Sequence, residues 1–183
     1  MDKLIVSLTI FVSVLFIGIV KQYIQYIIIR RNSREDENTL YLDSEIPNAS
    51  ALVFANKIII YGKLGSLSEF AILHESYHLK QKKLALIQLA AVALFSALLP
   101  FSLFSLLGIY FSYVLTNWKI EKDADLYAFS RGGKYEARYK RPKSRLARLI
   151  AWLLDTHPPD YIRISEEYRR KNIYYLFIKD IIS

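Results

Sequence analysis

The segment His74-Glu75-Ser76-Tyr77-His78 places two histidines four residues apart, with a glutamate directly after the first. On an α-helix, positions i and i+4 lie on one face, so both imidazoles can bind a single ion. Glu75 beside them can take a proton from a water that attacks a metal-polarised carbonyl. The spacing predicts a zinc site with His74 and His78 as metal ligands and Glu75 as general base.

An open zinc site needs a third protein ligand, and Glu121 is the candidate. Asp125 follows it by four residues and would share its helix face, where it can hydrogen-bond the outer nitrogen of a ligating histidine. The alternative is an ordinary exposed helix face, because Lys119, Lys122 and Asp123 surround the pair. Their combination with the histidine pair favours Glu121 as the third ligand.

The composition limits what else can bind a metal. The chain of 183 residues has no cysteine and only three histidines. A disulfide framework, a thiol nucleophile and a cysteine zinc site are therefore excluded. Hydrophobic residues make up 53% of the chain, which excludes disorder, yet the net charge is +8. This combination indicates a membrane protein whose apolar and basic residues lie in separate stretches.

The first apolar stretch is uncharged from Leu4 to Val20 and resumes as far as Ile29. Because a membrane-spanning helix takes about 20 apolar residues, residues 1–30 are predicted to form an N-terminal transmembrane anchor. A cleaved signal peptide is the alternative, but no small-x-small cleavage site follows the run. The polar residues 31–45 are predicted to form a linker, and residues 46–183 a zinc metalloprotease domain.

The second apolar stretch, residues 84–117, has no charge at all. A single helix of this length would reach about 51 Å, well past a hydrocarbon core of about 30 Å. Pro100 lies at its centre and interrupts a helix. The pattern predicts a helical hairpin that either spans the bilayer or dips into it. A buried hairpin in a soluble core is the alternative.

The proposed metal ligands lie on both sides of the hairpin in the sequence, and this restricts how the hairpin can cross the membrane. His78 precedes it and Glu121 follows it, so an even number of membrane crossings must separate the ligands. Lysines lie on both flanks, at Lys80 and Lys119 among others, and Arg30 and Arg31 follow the first apolar run. By the positive-inside rule, the catalytic site is expected to face the cytoplasm from the cell membrane.

The remaining elements are read from local signals. The runs Ala51–Phe54 and Lys57–Tyr61 predict two short strands in a hairpin. Ser68 is a good N-cap for a helix that could run through His78 and Lys83 into the membrane segment. Another helix is predicted to continue from the hairpin through Glu121 to Ser130, before two glycines.

These motifs, taken in order, resemble a known family, the HtpX-like and CAAX-prenyl-protease-like membrane gluzincins. The resemblance covers about residues 46–164. Besides the His-Glu-x-x-His helix and the hairpin, it rests on four groups of residues, which are Pro47-Asn48-Ala49, Glu121-x-x-x-Asp125-x-x-Ala128, Thr156-His157-Pro158-Pro159 and Arg163-Ile164. The chain departs from the HtpX type in having one N-terminal apolar helix where that type has two.

The resemblance implies a mainly α membrane protein with a small β-hairpin or sheet. It implies a zincin-like core with zinc-dependent endopeptidase activity on a protein or peptide substrate, bound along the strand Ala51–Phe54. It also places His157 near the metal, as a catalytic group that steadies the oxyanion or ligates the metal transiently. Arg163 would orient an acidic neighbour. The alternative for His157 is a turn residue ahead of two prolines.

A non-enzymatic function is the main alternative. Residues 131–148 carry eight lysines or arginines against one glutamate, Glu136. Such a segment could bind anionic lipid headgroups at about 1 kcal/mol per basic residue, which would make the chain a membrane adaptor. Membrane lipid is an expected partner in either case, and nucleic acid is not. An adaptor, however, has no use for Glu75.

Overall fold

The structure is mainly helical, with a small mixed sheet beside the helices, and this confirms the coarse fold class. The computed structural model describes residues 2–63, 65, 67–136 and 139–183. The elements in chain order are α1 (Lys3–Arg30), β1 (Arg34–Asp36), β2 (Thr39–Leu42), β3 (Asn48–Leu52), β4 (Lys57–Tyr61), α2 (Glu69–His78), α3 (Lys82–Ala97), α4 (Ser105–Ser130), α5 (Arg145–Leu154), α6 (Asp160–Arg163), α7 (Glu166–Arg170) and α8 (Ile173–Ile182).

Helix α1 begins after Asp2, whose side chain caps it by accepting a hydrogen bond from the Leu4 amide at 3.0 Å. Among the described residues it is the one helix long and apolar enough to cross a membrane. Only 6% of its most apolar window is buried in the protein, so α1 is not a core helix. A signal sequence would have the same length and composition.

Helices α3 and α4 form a hairpin whose turn, residues 98–104, contains Pro100 as the sequence predicts. The hairpin packs along α1. Ser7 near the start of α1 donates a hydrogen bond to the carbonyl of Ala97 at the end of α3. The Lys3 ammonium lies 5.8 Å from the ring centre of Phe101 in the turn. The tip of the hairpin therefore lies beside the N-terminus of α1.

The four strands form one sheet in the order β1-β2-β4-β3, in which β2 and β4 are parallel and the other pairs antiparallel. The prediction of a strand over Ala51–Phe54 is wrong in its bounds, since β3 covers Asn48–Leu52. The register pairs Leu52 with Lys57, so the residues between them form the turn. Asn56 closes that turn with a left-handed φ of 53°, which asparagine tolerates better than most residues.

The predicted linker, residues 31–45, contains strands β1 and β2 and is therefore not a simple solvated linker. Leu40 in β2 is fully buried and packs with Leu52 and Ile59 in a small core. The run Thr39–Leu42 has strand-forming residue types, but it is only four residues long and lies in a polar, charged segment. Its formation depends on the parallel pairing with β4, which local sequence does not report.

The helix predicted from Ser68 through Lys83 is interrupted. Ser68 does cap α2, accepting a hydrogen bond from the Ala71 amide at 3.3 Å. The helix then tightens into a 3₁₀ turn over Leu79–Gln81 before α3 begins. The turn brings the side chain of Gln81 inward against His78, at 2.7 Å.

The C-terminal helices pack on α4 around buried aromatic side chains, chiefly Trp118, Trp152 and Tyr168. The basic segment helps to hold them. Arg141 donates to the buried carboxylate of Asp180 in α8 at 2.7 Å. The side chain of Arg145 binds the carbonyl of Ile182, and that of Arg148 is buried near Asp180. These three basic residues thus have structural partners, as does Arg131, whose guanidinium lies over the Tyr127 ring. Arg138 lies outside the described residues.

Candidate metal centre

Three ligand atoms converge between α2 and α4. His74, His78 and Glu121 each offer one atom, and these atoms lie within 4.8 Å of one another. The Nε2 atom of His74 is 3.0 Å from Glu121 Oε2 and 3.1 Å from His78 Nε2. The Nε2 atom of His78 is 3.8 Å from the same Glu121 oxygen. The group that the sequence predicts as a metal site is therefore assembled, and it could hold a metal ion.

The second nitrogen of His74 is held by Asp125. His74 Nδ1 lies 2.8 Å from Asp125 Oδ1, and Asp125 is fully buried. An ionised carboxylate only accepts hydrogen bonds, so Nδ1 carries the proton and Nε2 presents its lone pair to the site. The one-turn separation of Glu121 and Asp125 on α4 allows one helix to hold both sides of the same imidazole.

The second nitrogen of His78 is held by Gln81, a residue that the sequence analysis did not single out. Gln81 Oε1 lies 2.7 Å from His78 Nδ1, and its amide nitrogen donates to the Ile120 carbonyl at 2.9 Å. That second bond orients the amide, so the oxygen faces His78 and Nδ1 is the protonated nitrogen. Its only sequence signal was an uncharged polar residue among Lys80, Lys82 and Lys83.

The donor set fits a zinc ion. Two imidazole nitrogens and a carboxylate oxygen lie 3.0–3.8 Å apart, close enough to bind one shared ion once His74 has lost its second proton. Two histidines and one carboxylate are the ligands of a common class of catalytic zinc site. Both histidines also have the outer hydrogen bonds that ligating histidines have in such sites.

Asp125 is the centre of a buried network that extends away from the site. Arg163 binds it in a two-pronged contact, Nε to Oδ2 at 2.7 Å and Nη2 to Oδ1 at 2.6 Å. The Tyr168 hydroxyl donates to Oδ2 at 2.8 Å. The resemblance implied that Arg163 orients an acidic neighbour, and Asp125 is the acidic residue that it contacts. Tyr168 was missed, because 43 residues separate it from Asp125 and nothing local marks it.

Glu75 lines a cavity of about 850 Å³ together with His74, His157, Tyr135 and Arg163. Burial raises the pKa of Glu75 to about 7, although the positive charge of His74 opposes the shift. A carboxylate with a pKa near neutrality is suited to accept a proton and return it within one catalytic cycle. The cavity gives a substrate access to Glu75 and to the ligand group.

The structure also brings His157 to the site. Its Nε2 atom lies 3.0 Å from Glu121 Oε2, on the carboxylate that also contacts His74. Burial lowers the pKa of His157, but hydrogen bonds to Asp155 and Glu121 outweigh that effect and raise it to about 10. Thr156 lies beside the ring, with its hydroxyl 3.1 Å from Nδ1. In this arrangement His157 is a cationic group at the edge of the ligand set.

Metal binding is expected to release a proton at neutral pH. In the metal-free protein, burial lowers the pKa of His74, but hydrogen bonds to Asp125 and Glu121 outweigh it and raise the pKa to about 9. His74 is therefore protonated at neutral pH and must lose a proton to ligate, so the affinity falls as the pH falls. Calorimetric zinc titrations in buffers of different ionisation enthalpy measure the protons released. Zinc binding without proton release at pH 7 would contradict a protonated His74 in the metal-free protein.

Comparisons of the chain with protein-family models, curated proteins and solved structures found no match. The resemblance to membrane gluzincins therefore rests on the motifs and on their order along the chain.

Proposed function

We propose that the chain is a membrane-anchored zinc endopeptidase with its catalytic centre on the cytoplasmic face. The observation that carries the proposal is the convergence of His74, His78 and Glu121 next to Glu75, with the outer nitrogen of each histidine hydrogen-bonded. A zincin-like core of the HtpX-like and CAAX-prenyl-protease-like kind is the fold assignment that goes with this function.

Glu75 is the proposed general base. Zinc held by His74, His78 and Glu121 supplies a Lewis acid that polarises the scissile carbonyl and lowers the pKa of a water molecule. Glu75 takes a proton from the water as the water oxygen attacks the carbonyl carbon. It then delivers this proton to the leaving amide nitrogen as the carbon–nitrogen bond breaks.

His157 is proposed to stabilise the negative charge that develops on the carbonyl oxygen. In the metal-free protein, burial lowers the pKa of His157, but hydrogen bonds to Asp155 and Glu121 outweigh it and favour the cationic imidazole. Its Nε2 atom lies 3.0 Å from Glu121. A cation held in place before the reaction costs little reorganisation when the charge appears. Asp125 and Arg163 act through His74, by keeping its Nε2 lone pair directed to the ligand group.

The edge strand β3 is the proposed binding site for the substrate backbone. It pairs with β4 on one side and packs near α2, which carries Glu75. Ala51 in this strand makes a backbone hydrogen bond with Glu75. An extended peptide added to this edge gains main-chain hydrogen bonds without a demand for particular side chains, and it passes the general base.

The packing of α1 on the hairpin supports the proposed membrane arrangement. Because the hairpin tip lies beside Lys3 at the start of α1, a membrane-spanning α1 carries the hairpin to the same depth. The hairpin then crosses twice, and His78 and Glu121 return to one side. Lys82 and Lys119 flank the apolar part of the hairpin on that side, which makes it the cytoplasmic one.

Metal content and cleavage test this function directly. The full chain, purified in detergent without chelator, is expected to contain about one zinc ion per molecule and to cleave casein. Removal of zinc by a chelator should abolish cleavage, and added zinc should restore it. The alternative function, a membrane adaptor, would be supported if the purified protein lacked stoichiometric zinc, cleaved nothing and bound anionic vesicles.

A further inference from the structure

Helix α5 has its apolar side turned outward. Leu146, Ile150 and Leu154 are spaced four residues apart, so they form one ridge along the helix, and they are 65%, 46% and 77% exposed. The inward side carries Arg148 and Trp152, both buried. A helix on a water-exposed surface has the opposite arrangement, with its charged residues outside.

The inward position of Arg148 fixes this orientation. Its guanidinium donates to the carbonyls of Pro142 and Lys143 and lies near the buried carboxylate of Asp180. Trp152 also donates to Asp180, at 3.0 Å. A rotation of α5 that buried its apolar ridge would break these contacts and expose Trp152. The apolar ridge is therefore a stable surface of the folded chain.

Two contacts place the C-terminal end of α5 beside the uncharged part of α4. The Tyr110 hydroxyl donates to the Leu153 carbonyl, and the Trp118 indole donates to the Trp152 carbonyl at 3.2 Å. Tyr110 belongs to the uncharged part of α4, whose first charge is Lys119. At 1.5 Å per residue, Tyr110 lies about 14 Å from Lys119 along the helix. The C-terminal end of α5 thus lies beside the proposed membrane-inserted part of α4, between the level of Trp118 at its boundary and that of Tyr110 deeper inside.

We propose that α5 lies in the cytoplasmic surface of the bilayer, with its ridge among the outer acyl chains. Exposed cations at its start, Lys140, Lys143 and Arg145, are placed to meet lipid headgroups. The neighbouring hairpin also has exposed apolar side chains, Leu106, Leu107 and Phe111 among them, and this favours lipid over a second copy of the chain as the partner of the ridge.

Single-cysteine labelling tests the position of α5 without any need for activity. Because the chain has no cysteine, Leu146→Cys, Ile150→Cys and Leu154→Cys each provide one labelling site for an environment-sensitive fluorophore. The full chain is placed in vesicles of phosphatidylcholine and phosphatidylglycerol. Quenching by lipids labelled at different depths should place all three positions about 5–10 Å below the headgroup boundary.

Two control positions calibrate the labelling. A label at Leu94→Cys, on the exposed face of α3, should be quenched by lipids labelled at greater depth. A label at Arg170→Cys, whose native side chain in α7 is 73% exposed, should be quenched by aqueous iodide only. Ridge labels that behave like the Arg170 label would overturn the proposal. Ridge labels protected from both lipid and iodide would also overturn it, because a protein surface would then cover α5.

Discussion

Replacement of Glu75 by glutamine is expected to reduce peptide hydrolysis by about 100- to 10,000-fold, the usual contribution of a positioned general base. Glutamine has nearly the same shape but cannot take a proton from water. Glu75 is not one of the three converging ligands, so the variant should keep its zinc. Initial cleavage rates and metal content, measured on the same preparation, separate the loss of the base from the loss of the ion.

Glu69→Gln is the matched control for this prediction. Glu69 is exposed in the first turn of the same helix and is absent from the residues that line the catalytic cavity. It should cleave casein like the wild type. If Glu75→Gln also cleaves like the wild type, the assignment of Glu75 as general base is wrong. If it loses zinc together with activity, the effect reports metal binding and not proton transfer.

Replacement of Asp125 by alanine is expected to destabilise the protein by about 3–5 kcal/mol, because it leaves the Arg163 charge buried without its partner. Burial raises the pKa of Asp125, but hydrogen bonds from His74 and Arg163 outweigh it and hold the pKa below its usual range. The carboxylate is therefore ionised in the native protein. Denaturant unfolding of the metal-free chain, in detergent, measures the change.

The same substitution should weaken zinc binding about 10- to 100-fold, because His74 loses the partner that orients it.

Asp123→Ala is a matched control on the same helix. Asp123 forms a partly exposed pair with Lys119 at 3.0 Å, and its loss should cost at most about 1 kcal/mol. Tyr168→Phe removes one hydrogen bond to the Asp125 carboxylate and should cost about 1.5–3 kcal/mol. Equal stability of the Asp125 and Asp123 variants would contradict the role given to the network.

The ligand group could be predicted from sequence because its spacing obeys helix geometry. His74 and His78 lie one turn apart on α2, and Glu121 and Asp125 lie one turn apart on α4. A period of 3.6 residues determines which face such pairs share, whatever the rest of the fold does. The hairpin break at Pro100 was predictable for a similar reason, since proline interrupts a helix locally.

The contacts that support the ligands could not be predicted in this way. Tyr168 meets Asp125 across 43 residues, and Gln81 reaches His78 only because the chain tightens into a 3₁₀ turn. Strand β2 forms within an expected linker because β4 is available as its parallel neighbour. Each of these depends on a partner distant in sequence or on a local departure from regular helix, and neither has a periodic signal.

The chain's amino-acid order by itself determined the candidate ligands, the apolar segments and the break between the hairpin helices, because helix periodicity, hydropathy and proline geometry act over a few residues. Only the tertiary structure decided that His157 reaches Glu121, that Asp125 joins His74 to Arg163, and that α5 faces outward with its apolar side. Those features arise where separate helices pack together. Side-chain reach and burial across such contacts depend on the three-dimensional positions of both partners, which no local pattern specifies.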